Sequence, residues 1–79
     1  ATPLEDVKRA LDIETFPHDE NYETIAGFMM YMLRKIPKKT DFVLFDRYKF
    51  EIIDTENFKI DQLMVSFRKD LPQEETTIN

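Results

Sequence analysis

The sequence predicts one α+β domain, in which two helices pack on a small antiparallel β-meander. Up to Pro37 the apolar residues recur at helical spacing, and after Pro37 they stand in short runs rich in Phe, Val, Ile and Tyr, which are typical of strands. A chain of 79 residues, of which 42% are hydrophobic, has room for a single core. These observations favour the same fold class.

Composition argues against several classes of protein. The chain has no cysteine, so it can form neither a disulfide framework nor a thiolate metal site. A formal net charge of -5 argues against nucleic-acid binding, which needs a basic surface. The longest apolar run, Ile25 to Leu33, cannot cross a membrane, because it would span only ~13 Å as a helix and a bilayer core is ~30 Å thick.

The N-terminal segment carries the signature of a helix start. Thr2 is predicted to be the cap, Pro3 the first helical residue, and Glu5 the second half of a capping box. The apolar residues Leu4, Val7 and Leu11 follow at helical spacing. We expect a short amphipathic helix that ends near Asp12, followed by a polar connector over 14–20.

A second helix is predicted between a cap at Asn21 and a stop at Pro37. Its predicted core face consists of Tyr22, Ile25, Ala26, Met29, Met32, Leu33 and Ile36. Phe28 and Met30 are expected to flank that face.

Gly27 and Tyr31 are expected on the far side of the second helix. A glycine inside a helix costs ~1 kcal/mol relative to alanine, so its presence indicates that another backbone passes close to Gly27. We expect the first helix to be that neighbour.

Three strands are predicted to follow, over Phe42 to Phe45, Tyr48 to Asp54 and Phe58 to Phe67. The turns between them are expected at 46–47 and at 55–57. In the third strand Ile60 has the opposite parity to Leu63, Val65 and Phe67. A β-bulge near Asp61 or Gln62 would place all four side chains on one face, and we predict that bulge.

The sequence offers little for catalysis or metal binding. His18 stands near Asp19, Glu20 and Glu23, which together contain oxygen and imidazole ligands. There is no second histidine and no EF-hand spacing, so an acidic connector that interacts with the helix dipole is the favoured interpretation. With no cysteine and Ser66 as the only serine, we predict no active site and no metal site.

A cluster of cations, which we call the basic segment, follows the second helix: Arg34, Lys35, Lys38 and Lys39. Cations at a helix C-terminus are favoured by the helix dipole, and this structural role is the first interpretation. The alternative is a contact with an acidic neighbouring domain, a nucleotide phosphate or an anionic membrane surface.

The stretch "YETIAGFMMYMLRKIPKKTDFVLFDRYKFEIIDTENFKIDQLMV" resembles the CorC/HlyC transporter-associated domain. The matching positions are Tyr22, Thr24, Ala26, Gly27, Ile36, Pro37, Asp41, Tyr48, Phe50 and Ile60. The upstream "TPLEDVKRALDIETFP" is similar to the short helix and connector of that family. Arg34, Thr40 and Arg47 depart from the pattern, because the family favours glycine at these positions.

The resemblance implies a family domain over 1–70 and a polar tail over 71–79. The first strand of the family would lie upstream of Ala1, and its absence would leave a sheet edge free to form a homodimer. The implied fold is similar to part of the p-cresol methylhydroxylase-type FAD-binding fold. Since pyrophosphate binding usually needs several glycines and this chain has Gly27 alone, no cofactor is expected, with FAD or an adenine nucleotide as the alternative.

The implied context is a larger protein similar to magnesium and cobalt efflux transporters or hemolysin-like proteins. The domain would lie on the cytoplasmic side of the cell membrane, behind a pair of CBS domains and, in many family members, a transmembrane domain, or in the cytoplasm if the parent is soluble. We expect a non-enzymatic regulatory domain that docks on those domains or on a second protomer. The alternative is a domain that senses a nucleotide, FAD or a metal.

The docking surface is predicted to consist of Gly27, Phe28, Tyr31, Arg34, Lys35, Lys38 and Lys39. These residues are the far side of the second helix and the basic segment.

Overall fold

The computed structural model describes residues 2–71. Its elements are helix α1 (Leu4–Leu11), a single 3-10 turn (Asp19–Asn21), helix α2 (Ile25–Leu33) and strands β1 (Phe42–Phe45), β2 (Tyr48–Glu56) and β3 (Lys59–Phe67). The strands form one antiparallel sheet in the order β1-β2-β3. The predicted α+β class is confirmed, whereas the predicted tail, apart from Leu71, lies outside the described residues.

The core is a layer of apolar side chains between the helices and one face of the sheet. Its buried members are Leu4, Ile13, Phe16, Tyr22, Ile25, Phe28, Met29, Val43, Phe50 and Ile52. Phe28 lies at the centre, with its ring centroid 4.9 Å from that of Phe16 and 5.3 Å from that of Phe50, both in edge-to-face geometry. Such pairs add to the burial of apolar surface.

The predicted core face of α2 was partly wrong. Phe28, expected at its flank, has no exposed surface, whereas Met32 is partly exposed and Ile36 is 59% exposed. The reason is the length of the helix, which ends at Leu33 and not near Pro37. Ile36 therefore lies beyond the helix, and the buried stripe is Ile25, Phe28 and Met29.

The predicted capping box of α1 was also wrong. Pro3 is the N-cap of this helix and offers no side-chain hydrogen bond. The carbonyl of Thr2 instead accepts from the Ile25 N–H (3.1 Å), and the Leu4 N–H donates to the Glu23 carbonyl (2.9 Å). The start of α1 is thus paired with the start of α2, and this pairing uses backbone groups that would otherwise need a cap.

Helix α2 is capped at both ends by local contacts. At its start the Thr24 hydroxyl accepts from the Gly27 N–H (3.0 Å), so Thr24 is the cap and the prediction of Asn21 was wrong. At its end Arg34 adopts a left-handed conformation (φ 53°), and its N–H donates to the Met30 carbonyl (3.0 Å). A left-handed residue at this position is what glycine usually supplies.

Gly27 has a close neighbour, but that neighbour is not the first helix. A Cβ built on Gly27 would lie 2.9 Å from the Tyr22 Cβ and 3.3 Å from the Thr24 hydroxyl oxygen. Tyr22 ends the connector and is buried against the core. Because Gly27 has no side chain, the connector can pack directly against this side of α2. The expectation that α1 passes there was wrong.

The predicted bulge in β3 is confirmed. Asp54 pairs with Gln62 and Thr55 with Ile60, so Asp61 is the extra residue on β3. A second irregularity on β2 compensates for it, because Ile52 pairs with Leu63 and Ile53 is left over.

The bulge at Asp61 keeps Ile60 and Leu63 on the core side of the sheet, where both pack against the buried cluster. Val65 and Phe67 share that side but remain exposed, at 38% and 67%. The β2–β3 turn comes later than predicted, at Asn57 and Phe58, and both residues have positive φ (52° and 65°).

We predict that Gly27→Ala destabilises the domain by about 1–3 kcal/mol, because the new methyl group would overlap Tyr22 at a site that cannot relax cheaply. Thermal unfolding of the isolated chain measures this effect. Ala10→Gly, at an exposed position of α1, is the control and should cost about 1 kcal/mol through helix propensity alone. A higher melting temperature for Gly27→Ala would contradict the close contact.

Candidate docking surface

The structure places the residues of the predicted docking surface in two environments. Tyr31 is partly exposed, and the four cations of the basic segment are exposed. Phe28 is fully buried and cannot contact a partner, whereas Gly27 is partly exposed beside Tyr22. The available surface therefore consists of Tyr31 and the basic segment, with Gly27 at its margin, and its docking role stays a prediction.

Tyr31 forms the centre of a small aromatic and cationic cluster on α2. The Arg34 guanidinium carbon lies 4.9 Å from the Tyr31 ring centroid, a cation–π contact. The rings of Tyr22 and His18 lie 5.6 Å and 5.7 Å from the Tyr31 ring on its other flanks. Arg34 is thus held in place and still exposed, which favours contact with a planar anionic group.

Tyr22 connects this cluster to the core. Its hydroxyl donates a hydrogen bond to the Pro17 carbonyl, and this bond closes the connector onto α2. Burial, together with the charges of Asp19 and Glu20, raises the pKa of Tyr22 to about 12. The hydroxyl therefore remains protonated and acts as a donor at physiological pH.

The basic segment is not one patch of free charge. The Lys35 ammonium lies 3.2 Å from the Asp41 carboxylate, and the Lys39 ammonium lies 3.5 Å from the Asp54 carboxylate. Among residues 2–71, neither Arg34 nor Lys38 has an ion-pair partner for its side chain. These two cations are the part of the segment that can meet an acidic partner.

Asp41 organises the loop that carries these cations. Its carboxylate accepts from the Lys38 backbone N–H (2.9 Å) and from the Lys35 ammonium (3.2 Å), which together hold the pKa of Asp41 below its usual value. The preceding residue, Thr40, has a left-handed conformation (φ 73°), and its N–H donates to the Ile52 carbonyl (2.9 Å). The loop is therefore fixed to the sheet.

The acidic connector is structural in the described part of the chain. The Asp19 carboxylate accepts from the Lys8 ammonium (3.2 Å) and from the Phe16 N–H (3.4 Å), and the hydrogen bond from Lys8 is the main cause of its lowered pKa. No group of three histidine or carboxylate side chains converges within residues 2–71 in a way that could hold a metal ion.

Sequence reasoning missed a second surface, on the side of the sheet away from the helices. We call this side the outer face. It carries a recess of about 510 Å³ whose apolar lining residues on this face are Phe42, Leu44 and Met64. Phe67, whose side chain belongs to the core side, also lines the recess at the end of β3. The charged residues around it are Lys49, Glu51, Arg68, Lys69 and Asp70.

The signal for this surface was present in β1. All four residues of that strand are apolar, and in an antiparallel pair alternate residues point to opposite faces. Val43 pairs with Phe50 on the core side, so Phe42 and Leu44 must point outward. An all-apolar strand therefore indicates a second apolar face as well as the core face.

Within the described residues, no helix is long and apolar enough to span a bilayer.

Comparison with known proteins gives a family match over most of the chain. The sequence profile of the CorC_HlyC family, a transporter-associated domain, matches residues 1–69. The polyamine export protein of Haemophilus influenzae is 73% identical over 70 residues, which are 89% of this chain and 16% of that protein. The polyamine export protein of Escherichia coli K12 is 63% identical over 65 residues, 82% of this chain and 14% of that protein. The chain therefore spans about one sixth of these relatives.

Solved structures share the fold. The crystal structure of a CorC_HlyC domain from Haemophilus ducreyi superposes with a TM-score of 0.81 at 88% identity, over 89% of this chain and 83% of that one. The CorC_HlyC domain of a Xylella fastidiosa hemolysin, in complex with Mg²⁺ and Mn²⁺, gives a TM-score of 0.75 at 25% identity, over 87% and 81% of the two chains. The family is defined by association with transporters and is not a family of enzymes.

We predict that the pKa of Asp41 lies below the ordinary aspartate value of ~3.9 and that the fold loses stability as the pH falls through this lower value. Because the folded chain prefers the carboxylate, its contribution is fully present above the unfolded pKa. A carboxyl NMR titration of Asp41, with thermal unfolding followed over the same pH range, measures both effects.

Lys35→Met is the control for the cause of this shift. It should move the pKa of Asp41 upward but not fully to the ordinary value, because the hydrogen bond from the Lys38 backbone N–H remains. A titration midpoint at or above ~3.9 in the unsubstituted chain would contradict the prediction.

Proposed function

We propose a function from one premise: the chain belongs to the CorC_HlyC family of transporter-associated domains. In this proposal it is a regulatory interaction domain of an exporter, acts on the cytoplasmic side of the membrane, and docks on neighbouring domains of the parent protein. The observation that carries the proposal is its 73% identity to one segment of a polyamine export protein about six times as long.

The proposed cargo of the parent protein is a polyamine, in place of the magnesium or cobalt that the family resemblance suggested. The support is that relatives 63–73% identical to this chain are polyamine export proteins. The described residues contain no cluster of acidic side chains arranged for a metal. In this proposal the domain therefore contributes regulation, and the transport path lies elsewhere in the parent.

The proposed docking contact is the exposed end of α2. Arg34 and Lys38 are the two cations of the basic segment whose side chains are free of ion pairs within residues 2–71, and Arg34 is stacked on Tyr31. Lys35 and Lys39 are tied to Asp41 and Asp54, so they fix the loop that presents Lys38. A preordered cationic edge loses little conformational entropy on binding, which suits an acidic surface on an adjacent CBS or membrane domain.

A second candidate function is the sensing of a divalent cation. It is favoured by one observation, that the related domain from the Xylella fastidiosa hemolysin was crystallised in complex with Mg²⁺ and Mn²⁺. Calorimetric titration of this chain with each ion separates the candidates. Saturable heats at micromolar ion concentration would favour sensing over docking alone.

We predict that Arg34→Glu combined with Lys38→Glu lowers polyamine export by the full-length parent protein about tenfold, equivalent to roughly 1.4 kcal/mol of docking free energy. Efflux of polyamine from loaded cells measures the effect. The isolated chain should remain folded but lose about 1 kcal/mol of stability, because Arg34→Glu removes the cation–π contact with Tyr31 and reverses a charge that the helix dipole favours.

Arg9→Glu is the matched control for this prediction. Arg9 lies on α1, is 79% exposed and pairs only with Asp6 at 3.4 Å among the described residues. It changes the net charge in the same direction at a site outside the proposed surface, and export should be unaffected. Unchanged export by the double variant would remove Arg34 and Lys38 from the docking surface.

A further inference from the structure

The β2–β3 turn exposes a phenylalanine in a conformation that phenylalanine disfavours. Phe58 is 75% exposed, the highest value among the large hydrophobic side chains of the described residues. Asn57 and Phe58 both have positive φ, the geometry of a two-residue hairpin turn in which Asn-Gly is the preferred pair. A bulky residue at the second position costs conformational free energy that glycine would not.

Within residues 2–71, packing against the core does not compensate for this cost. Phe58 belongs neither to the buried core nor to the partly buried side chains that pack against it. An aromatic side chain held at the tip of a hairpin, at the expense of local backbone strain, is suited to insert into a recess on another molecule.

The chain itself offers such a recess on its outer face. Phe42 and Met64 are both about half exposed and line this recess, whose volume is about 510 Å³. A phenyl ring is apolar and small enough to enter a space of this size. The recess therefore matches Phe58 in chemistry and in volume.

The charges around the two features are complementary. The recess is surrounded by three cations, Lys49, Arg68 and Lys69, and two carboxylates, Glu51 and Asp70. Next to the hairpin tip, Glu56 and Asp61 are exposed carboxylates and Lys59 is the cation between them in sequence. Lys49 is paired with Glu51 (3.4 Å) and Arg68 with Asp70 (2.7 Å), so the excess positive charge of the recess is that of Lys69, whereas the tip has an excess of one negative charge.

The positions of tip and recess suit a two-fold arrangement. Phe58 lies at one end of the β2–β3 hairpin, and the recess lies at the other end, where Glu51 pairs with Met64 and Lys49 with Ser66. If the outer faces of two copies pack together with their strands antiparallel, the tip end of each β2–β3 hairpin lies opposite the recess end of the other. Each tip then lies over the recess of the other copy, and both contacts are identical by symmetry.

We propose that the outer face is an interface between two copies of this chain, in which Phe58 of each copy fills the recess of the other. This interface is separate from the docking surface at Arg34 and Lys38, so either can fail without the other. It also differs from the pairing at a sheet edge that the sequence predicted, because it uses side chains of the face and of the hairpin tip.

The test is sedimentation of the isolated chain over a range of concentrations. We expect a monomer–dimer equilibrium that Phe58→Gly weakens at least tenfold, while the melting temperature measured at low concentration rises because the strain at position 58 is released. Met64→Glu should also weaken the dimer, since it places a charge in the recess. Met30→Glu, at a similarly exposed methionine of α2, is the control and should leave the dimer intact.

Mixing the two variants tests the reciprocal contact. A Phe58→Gly chain keeps its recess, and a Met64→Glu chain keeps its Phe58, so the mixture should form a mixed dimer with one of the two contacts while each variant alone stays monomeric. A chain that is monomeric up to about 1 mM would overturn the proposal. It would also fail if Phe58→Gly dimerised like the unsubstituted chain, if the mixture stayed monomeric, or if Phe58 proved to bind only another domain of the parent.

Discussion

The burial of Phe28 between the connector and the sheet is the contact on which the rest of the fold depends. The centroid of its ring lies 4.9 Å from that of Phe16 in the connector, 5.3 Å from that of Phe50 in β2 and 5.9 Å from that of Phe45 in β1. One side chain of α2 therefore contacts the connector and both strands β1 and β2. With Phe28 facing the sheet, the helical period turns Tyr31 to the flank of α2, and Arg34 at the helix end reaches the Tyr31 ring. The exposed position of Arg34 at the end of α2 therefore depends on the burial of Phe28.

The connector is held in register by a second contact, between Tyr22 and Gly27. Tyr22 packs where a Cβ on Gly27 would be, and its hydroxyl bonds to the Pro17 carbonyl. The start of α1 is then fixed beside the start of α2 through the Pro3–Thr24 bridge. At the other end of α1, the Leu11 carbonyl accepts from the Tyr48 hydroxyl (3.0 Å), which ties the helix to the sheet. A short helix that would be marginal by itself is thus stabilised by tertiary contacts.

Local patterns sufficed to predict the element order, the limits of β1 and the bulge at Asp61, because each depends on the parity or period of neighbouring residues. The caps could not be predicted in this way. Thr2 has a favourable side chain for capping, but its backbone is used by α2, and Thr24 caps α2 although Asn21 is also suitable. Phe28 was misplaced because the helical wheel was extended beyond Leu33. The recess on the outer face could not be predicted from local patterns, because it forms only when β1, β2 and β3 are assembled into the sheet.

Residues with positive φ cost the fold conformational free energy, and two of them belong to the proposed contact surfaces. In the described part of the chain, seven residues other than glycine adopt this conformation, and most of them lie where helices or strands end: Asp12, His18, Arg34, Thr40, Asp46, Asn57 and Phe58. Aspartate and asparagine tolerate this geometry, whereas arginine, threonine and phenylalanine tolerate it less well. Arg34 and Thr40 each lie in or beside the basic segment. A small domain has little stability to spare. In the two proposed contacts, strain at Arg34 and Phe58 is the cost of placing a cation and an aromatic ring where a partner can reach them.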